Sequence, residues 1–231
     1  MSEDGERRGA ELGLRARKAA ATRGALARAL DARLAEEDLG DIKVDDLAAA
    51  AGVSRMTFFN HFATKEQALE HVFVRMLFEH EALAARRGMR GRAAIESLFD
   101  AMGRRVQESP ARARRTLAHF STRPLDREVA QLTPAERALL APGLDVPGSP
   151  SLGALLMRLV AEARAAGEIA VESTDYELGH MLGALFMGAA LVGHSAPKQN
   201  WLALYRHHLA RALGPSTDAP PQRRAKNGRG R

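Results

Sequence analysis

The stretch Val44–Lys65, VDDLAAAAGVSRMTFFNHFATK, decides the fold. Val44, Leu47, Ala48 and Ala51 recur at i, i+3, i+4, i+7, the spacing of a helix with one buried stripe. Gly52 stands where a helix exit favours a residue at ease with positive φ. The Ser54 hydroxyl can then cap a second helix. That helix turns Val53, Phe58 and Phe62 inward and leaves Arg55, Met56, Asn60 and His61 outward. Two helices joined by a short glycine turn make either a helix-turn-helix or a plain helical hairpin. The period alone leaves both open.

Residue identities go further. Leu47-Ala48, Ala51-Gly52-Val53-Ser54, Met56-Thr57-Phe58-Phe59, His61-Phe62, Lys65-Glu66 and Leu69 fill the slots of a dense signature. The chain resembles the TetR family of bacterial transcriptional regulators, over about residues 22–70 once the upstream helix is included. The resemblance implies an all-α protein. Its N-terminal three-helix helix-turn-helix domain reads DNA, and the helical body behind it binds an effector and dimerises. The partners implied are double-stranded DNA with a near-palindromic operator, a second copy of the chain and a small effector.

The outward residues of the second helix sort by chemical reach. Arg55 suits a bidentate contact to guanine, Asn60 suits adenine or a phosphate, and Thr57 and Met56 can meet a thymine methyl. By resemblance His61 and Lys65 bind phosphates, and Ser54 stands at the same edge. Three positions depart from the family pattern. Lys43 replaces a capping Thr and can pair with phosphate only as a mobile point charge. Met56 replaces a small glycine. Phe59 replaces a Tyr whose hydroxyl donates to a phosphate, which predicts weaker anchoring.

Composition sets limits. A 231-residue chain with 45% hydrophobic and 27% charged residues is ordinary for a globular protein. It has no cysteine, so disulfides, thiolate nucleophiles and Cys-based metal sites are excluded. No apolar run approaches a membrane span, and the cytosol is the default location. The net charge of +6 is poor evidence for DNA, because residues 1–66 carry 11 Lys/Arg against 12 Asp/Glu. Only the local charge facing phosphates counts.

The expected organisation is a disordered arm over 1–14, the DNA-binding domain over 15–64, the body over 65–213 and a disordered basic tail over 214–231. Helices are expected from Leu14 to Glu37, with Leu26, Leu30 and Leu34 inward, and from Lys65 to Arg87. Further helices run from Arg92 to Glu108 and from the Ser109-Pro110 cap. Thr133-Pro134-Ala135-Glu136 starts a short helix in the irregular stretch 123–150. Ser149-Pro150 caps the next helix, Thr174-Asp175-Tyr176-Glu177 is a capping box, and Pro197 opens the last helix before Gly214. Arg112, Arg114 and Arg115 read as a solvated face.

Phe99, Met102, Leu117, Phe120, Met157 and Met181 are the candidates to line an effector pocket for a largely apolar molecule. The last two long helices are apolar on more than one face, which suggests burial beyond one subunit. Leu178, Leu182, Leu185, Phe186, Ala189, Trp201, Leu204, Tyr205 and His208 are therefore the candidate dimer residues. No phosphate loop, nucleophile elbow or zinc-protease motif occurs, and no cofactor, metal or catalytic residue is expected. An all-α enzyme, or a basic interaction module without sequence-specific DNA binding, is the alternative.

Overall fold

A computed structural model describes residues 3–121, 131–146, 148–169, 171–192 and 198–214, with side chains from residue 13 to residue 191 of those segments and over 198–214. The described residues form helices and no strand. The expected tail from residue 215 lies outside them.

Three helices make the head: α1 (Glu3–Arg33), α2 (Val44–Ala50) and α3 (Arg55–His61). Leu26 and Leu30 of the first, Leu34 just past its end, Leu47 of the second and Phe58 of the third are all fully buried. Helix α1 differs from expectation at both ends. It begins at Glu3, within the segment expected as a disordered arm, and stops at Arg33 rather than Glu37. Leu34 N–H still bonds the Leu30 carbonyl, after which the chain closes in turns through Asp41 N–H to Asp38 O.

The turn between α2 and α3 is built as its sequence implies. Gly52 has φ +69°, and a Cβ there would touch nothing, so the backbone angle and not crowding requires glycine. Ser54 caps α3 by accepting from Thr57 N–H at 3.1 Å. Lys43 occupies the N-cap of α2 with no side-chain bond, and Asp45 and Asp46 fill the first turn, where the helix dipole favours acids.

The body comprises α4 (Lys65–Arg86), α5 (Gly91–Glu108), α6 (Pro110–Ala118), α7 (Pro134–Leu140), α8 (Leu152–Ala165), α9 (Asp175–Val192) and α10 (Trp201–Leu213). Its starts are local in origin. Ser109 caps α6 with Pro110 at the first helical position, and Thr133 with Glu136 forms a capping box. Thr174 and Glu177 form another at α9. Two starts differ from expectation. Ser151, not Ser149, caps α8. Helix α10 begins at Trp201 behind an Asn200 cap, while Pro197, where the last helix was expected to open, lies outside the described residues.

Helix α5 is the axis of the body and packs on α6, α8 and α10. A Cβ at Gly103 would lie 2.9 Å from Leu202 Cα, so α5 and α10 approach to backbone contact. The apolar core continues from Leu26 to Leu213. This arrangement corrects the expected dimer set. Leu178, Leu182, Phe186, Trp201 and Tyr205 are buried inside the chain's own core, because α9 lies on α6 and α8 while α10 lies on α5. Tyr205 even donates its hydroxyl to the Phe186 carbonyl at 2.6 Å. Leu185, Ala189 and Leu204 are half-buried and His208 is exposed.

Candidate nucleic-acid interface and the cavity behind it

Helix α3 stands proud of the head because its inner side is taken up by Phe58, whose ring packs against those of Phe59 and Phe62. On the outer side Arg55 and Asn60 are exposed, Met56 is 68% exposed and Phe59 is 41% exposed. Arg55 pairs with Asp45 of α2 at 2.7 Å, and its guanidinium lies 5.4 Å from the Phe59 ring centre. A planar donor group is thus held over the outer face, ready to exchange an exposed carboxylate for another acceptor. Thr57 is half-buried and shares a 2.9 Å hydrogen bond with Ser54.

Three edge residues differ in what they can offer. Lys43 is exposed. Lys65 donates to the Gly40 and Ile42 carbonyls, both at 2.8 Å, so its ammonium ties down the α1–α2 connection. One N–H remains for a phosphate. His61 is half-buried, and burial, then the nearby Arg23 cation, hold its pKa below the usual histidine value. At neutral pH it is a neutral N–H donor and not a cation.

The head is fastened to the body twice. On one side Arg105 of α5 grips Asp31, while Arg115 of α6 bonds Asp38 at 2.5 Å and the Leu34 carbonyl at 3.1 Å. Arg112 and Arg114 reach Asp31 and Asp38 at 3.9 and 3.6 Å. The arginine run expected as a solvated face is therefore a clasp on the end of α1. Sequence could not assign it, because the acids it meets lie some 75 residues away.

On the other side the buried Glu136 of α7 sits 3.1 Å from Arg23 of α1 and 3.2 Å from His71 of α4. Arg23 in turn stacks on Phe62 at 5.0 Å, next to the end of α3. Burial, followed by the Arg23 and Arg75 cations, depresses His71 to about 4 against the pull of Glu136.

A cavity of about 260 Å³ lies between α4, α5, α8 and Asp145–Val146. Glu81 in its wall is buried and accepts from Ser149 N–H at 2.8 Å, Ser149 Oγ at 3.2 Å and Arg158 at 2.7 Å. Desolvation raises the Glu81 pKa, and Arg158 works against it. His80, also buried, shares its Nε2 with the Ala94 carbonyl at 3.1 Å, while no protein group reaches Nδ1. A second cavity of about 230 Å³, lined by Met76, Leu98, Met102 and Phe186, shares His80 as a wall.

Of the expected pocket residues, Met102 lines that second space. Phe99 stacks edgewise on Phe186 and Tyr205, and Phe120 lies 4.4 Å from Phe73. Leu117 is buried, Met157 packs on Gly179, and Met181 faces outward, 48% exposed, so it lines no interior. Sequence reading missed Glu81 and Arg158. Its one available signal was that Glu81 falls on the apolar-stripe side of the run FEHEALAA, three residues after Phe78, beside the exposed Glu79.

Residues 26–72 match the family of bacterial regulatory proteins known as the tetR family. No curated protein matches the chain in sequence. Among solved structures, the fatty acid degradation regulator FadR of Bacillus halodurans is 17% identical, with a TM-score of 0.55 over 83% of this chain and 97% of that one. FadR of Bacillus subtilis in complex with stearoyl-CoA gives 14% identity and 0.56, over 82% and 96%. FadR of Thermus thermophilus in complex with lauroyl-CoA gives 18% and 0.52, over 87% and 99%. At these identities the likeness shows a shared fold.

Proposed function

We propose that the chain, whose residues 26–72 match the tetR family of bacterial regulatory proteins, is a repressor that binds a near-palindromic operator as a homodimer and leaves it when a small molecule enters its body. The observation that carries the DNA reading is the outer face of α3, which offers Arg55, Met56 and Asn60 to solvent on a head that matches the family. Such a helix fits a major groove. Arg55 would release Asp45 and take guanine, while His61, Lys43 and the remaining Lys65 N–H position the head on phosphates. Phe59 adds only apolar contact.

Dimerisation is supported by the outer face of α9. Tyr176 and Met181 are 60% and 48% exposed there, and Ala184 follows on the same side. With Leu185, Ala189, Leu204 and His208, this face replaces the buried residues first expected at the interface. An effector is supported by the cavity and by the two acyl-CoA complexes of the FadR regulators, whose fold is shared.

Selection of bound DNA from a random pool tests the reading. An inverted repeat with half-sites about one helical turn apart is expected. Arg55→Ala should lower affinity by about 1–3 kcal/mol and relax preference at one base pair of each half-site. Retention of random DNA with no enriched motif sinks the regulator reading, and a monomeric mass at micromolar concentration sinks the dimer.

A further inference from the structure

We propose that Glu136 of α7 is a positioning residue for DNA binding, which holds Arg23 and His71 against Phe62 and thereby fixes the end of α3. Its effect on DNA rests on the reading above, whereas its hold on α3 is a matter of the fold alone.

Helix α7 buries the opposite of what a surface helix normally buries. Its one buried residue is the carboxylate Glu136, while Leu139 is 50% exposed. A buried carboxylate is costly unless it is paired, and apolar side chains of similar volume often hold two elements together as well or better. The reason for burying this charge therefore lies in what it holds.

The carboxylate divides its two oxygens. Oε2 closes the capping box, accepting from Thr133 N–H and Thr133 Oγ1, both at 2.8 Å. Oε1 accepts no hydrogen bond, yet it lies 3.1 Å from Arg23 Nε of α1 and 3.2 Å from His71 Nε2 of α4. Arg23 Nη2 donates to His71 Nδ1 at 3.4 Å, which puts the proton of the neutral ring on Nε2, facing the carboxylate. Three helices thus meet at one oxygen.

What these groups enclose is the end of α3. Phe62 is the C-cap of that helix and is 2% exposed. The Arg23 guanidinium lies 5.0 Å from its ring centre and the His71 ring 5.3 Å from it. Both neighbours of Phe62 are therefore side chains that the Glu136 charge keeps in place. The same charges reach the outer edge of the helix. Behind burial, Arg23 lowers the His61 pKa and Glu136 raises it.

An amide cannot replace the carboxylate here. In Glu136→Gln one acceptor must serve either Thr133 or Arg23, and the NH2 group then meets another donor. Arg23, whose side chain is 23% exposed, has water within reach and leaves Phe62.

The test is amide hydrogen exchange of the full chain by NMR, without DNA, in the parent, Glu136→Gln, Arg23→Gln and the double variant. The reporters are the amides of Phe58 and Phe62, which bond the Ser54 and Phe58 carbonyls. Leu98 and Phe99 of α5 serve as the control for global opening. Each single variant should speed exchange in α3 at least about tenfold and leave α5 unchanged. The double variant should exchange no faster than the faster single one, because the two residues act as a unit. Unmoved exchange in α3, equal acceleration in α3 and α5, or additive single effects overturns the proposal. Affinity for DNA selected by the parent should fall about tenfold in each single variant, and unchanged affinity overturns the proposal as well. A parent that enriches no DNA motif breaks the DNA reading instead, and a selective change in α3 then still upholds the hold of Glu136 on that helix.

Discussion

The α2–α3 head and the α4–α8 cavity are built from the same helical material but on opposite principles. In the head, the groups proposed to meet bases, Arg55, Met56 and Asn60, are exposed, and the supports of Arg55 and its helix lie close along the chain. Ser54 caps three residues ahead and Arg55 pairs ten residues back. In the cavity the polar groups are buried and their partners are remote, with Glu81 meeting Ser149 and Arg158 at separations of 68 and 77 residues. An exposed charge exchanges partners at little expense, which suits the proposed exchange of Asp45 for a base by Arg55. A buried charge is fixed by its neighbours, so the cavity wall keeps one arrangement.

The largest way to break this contrast is to remove the core that holds the head's outer face in place. Phe58→Ala empties a fully buried ring site and should cost about 3–5 kcal/mol. Urea titration followed by circular dichroism reads the loss. A cost below about 1 kcal/mol shows that the head does not depend on the Phe58 side chain.

Glu81→Ala comes next. It strands the Ser149 N–H and Arg158 in the cavity wall and should cost about 1–3 kcal/mol, while DNA selected by the parent protein still binds. An unchanged midpoint shows that the Glu81 bonds are not structural.

The His71–Glu136–Arg23 cluster predicts a pH effect. Burial, reinforced by the Arg23 and Arg75 cations and opposed by Glu136, holds His71 at about 4 in the folded chain against 6.5 when exposed. The fold takes up the neutral ring, so its contribution is complete above pH 6.5 and is lost as pH falls from 6.5 towards 4. Urea midpoints at pH 7 and pH 5 should diverge more in the parent than in His71→Gln, and equal slopes rule the cluster out.

The smallest effect sharpens the other side of the comparison. Asp45→Asn breaks an exposed pair with Arg55, so folding should change by no more than about 0.5 kcal/mol. DNA retention should strengthen slightly, most at low salt, because a repelling charge leaves the phosphate-facing side. Weaker retention would mean that Asp45 orients Arg55 for its base.

Legibility followed the same division. The head's turn, its glycine and its Ser54 cap could be read directly, and the family match covers that region. The body was legible as helices but not as faces. The apolar period of α9 and α10 places Leu182, Phe186 and Tyr205 inward without saying whether the neighbour is α5, α8 or another subunit. Within this chain they are buried. Met181 has the same character as Met102 in sequence, yet one faces solvent and the other a cavity.

The sequence by itself determined where α3, α4, α6, α7 and α9 start, where the chain reverses at Gly52 and which side of α3 is polar. These depend on backbone preferences and on bonds spanning about three or four residues. Only the tertiary structure decided that Lys65 ties down the α1–α2 connection, that Arg105 and Arg115 clasp the end of α1, and that Glu81, His80 and Arg158 share one cavity. A charge carries no local record of its partner. Which counter-ion it meets is fixed when helices remote in sequence dock through their apolar faces and bring those charges within bonding distance.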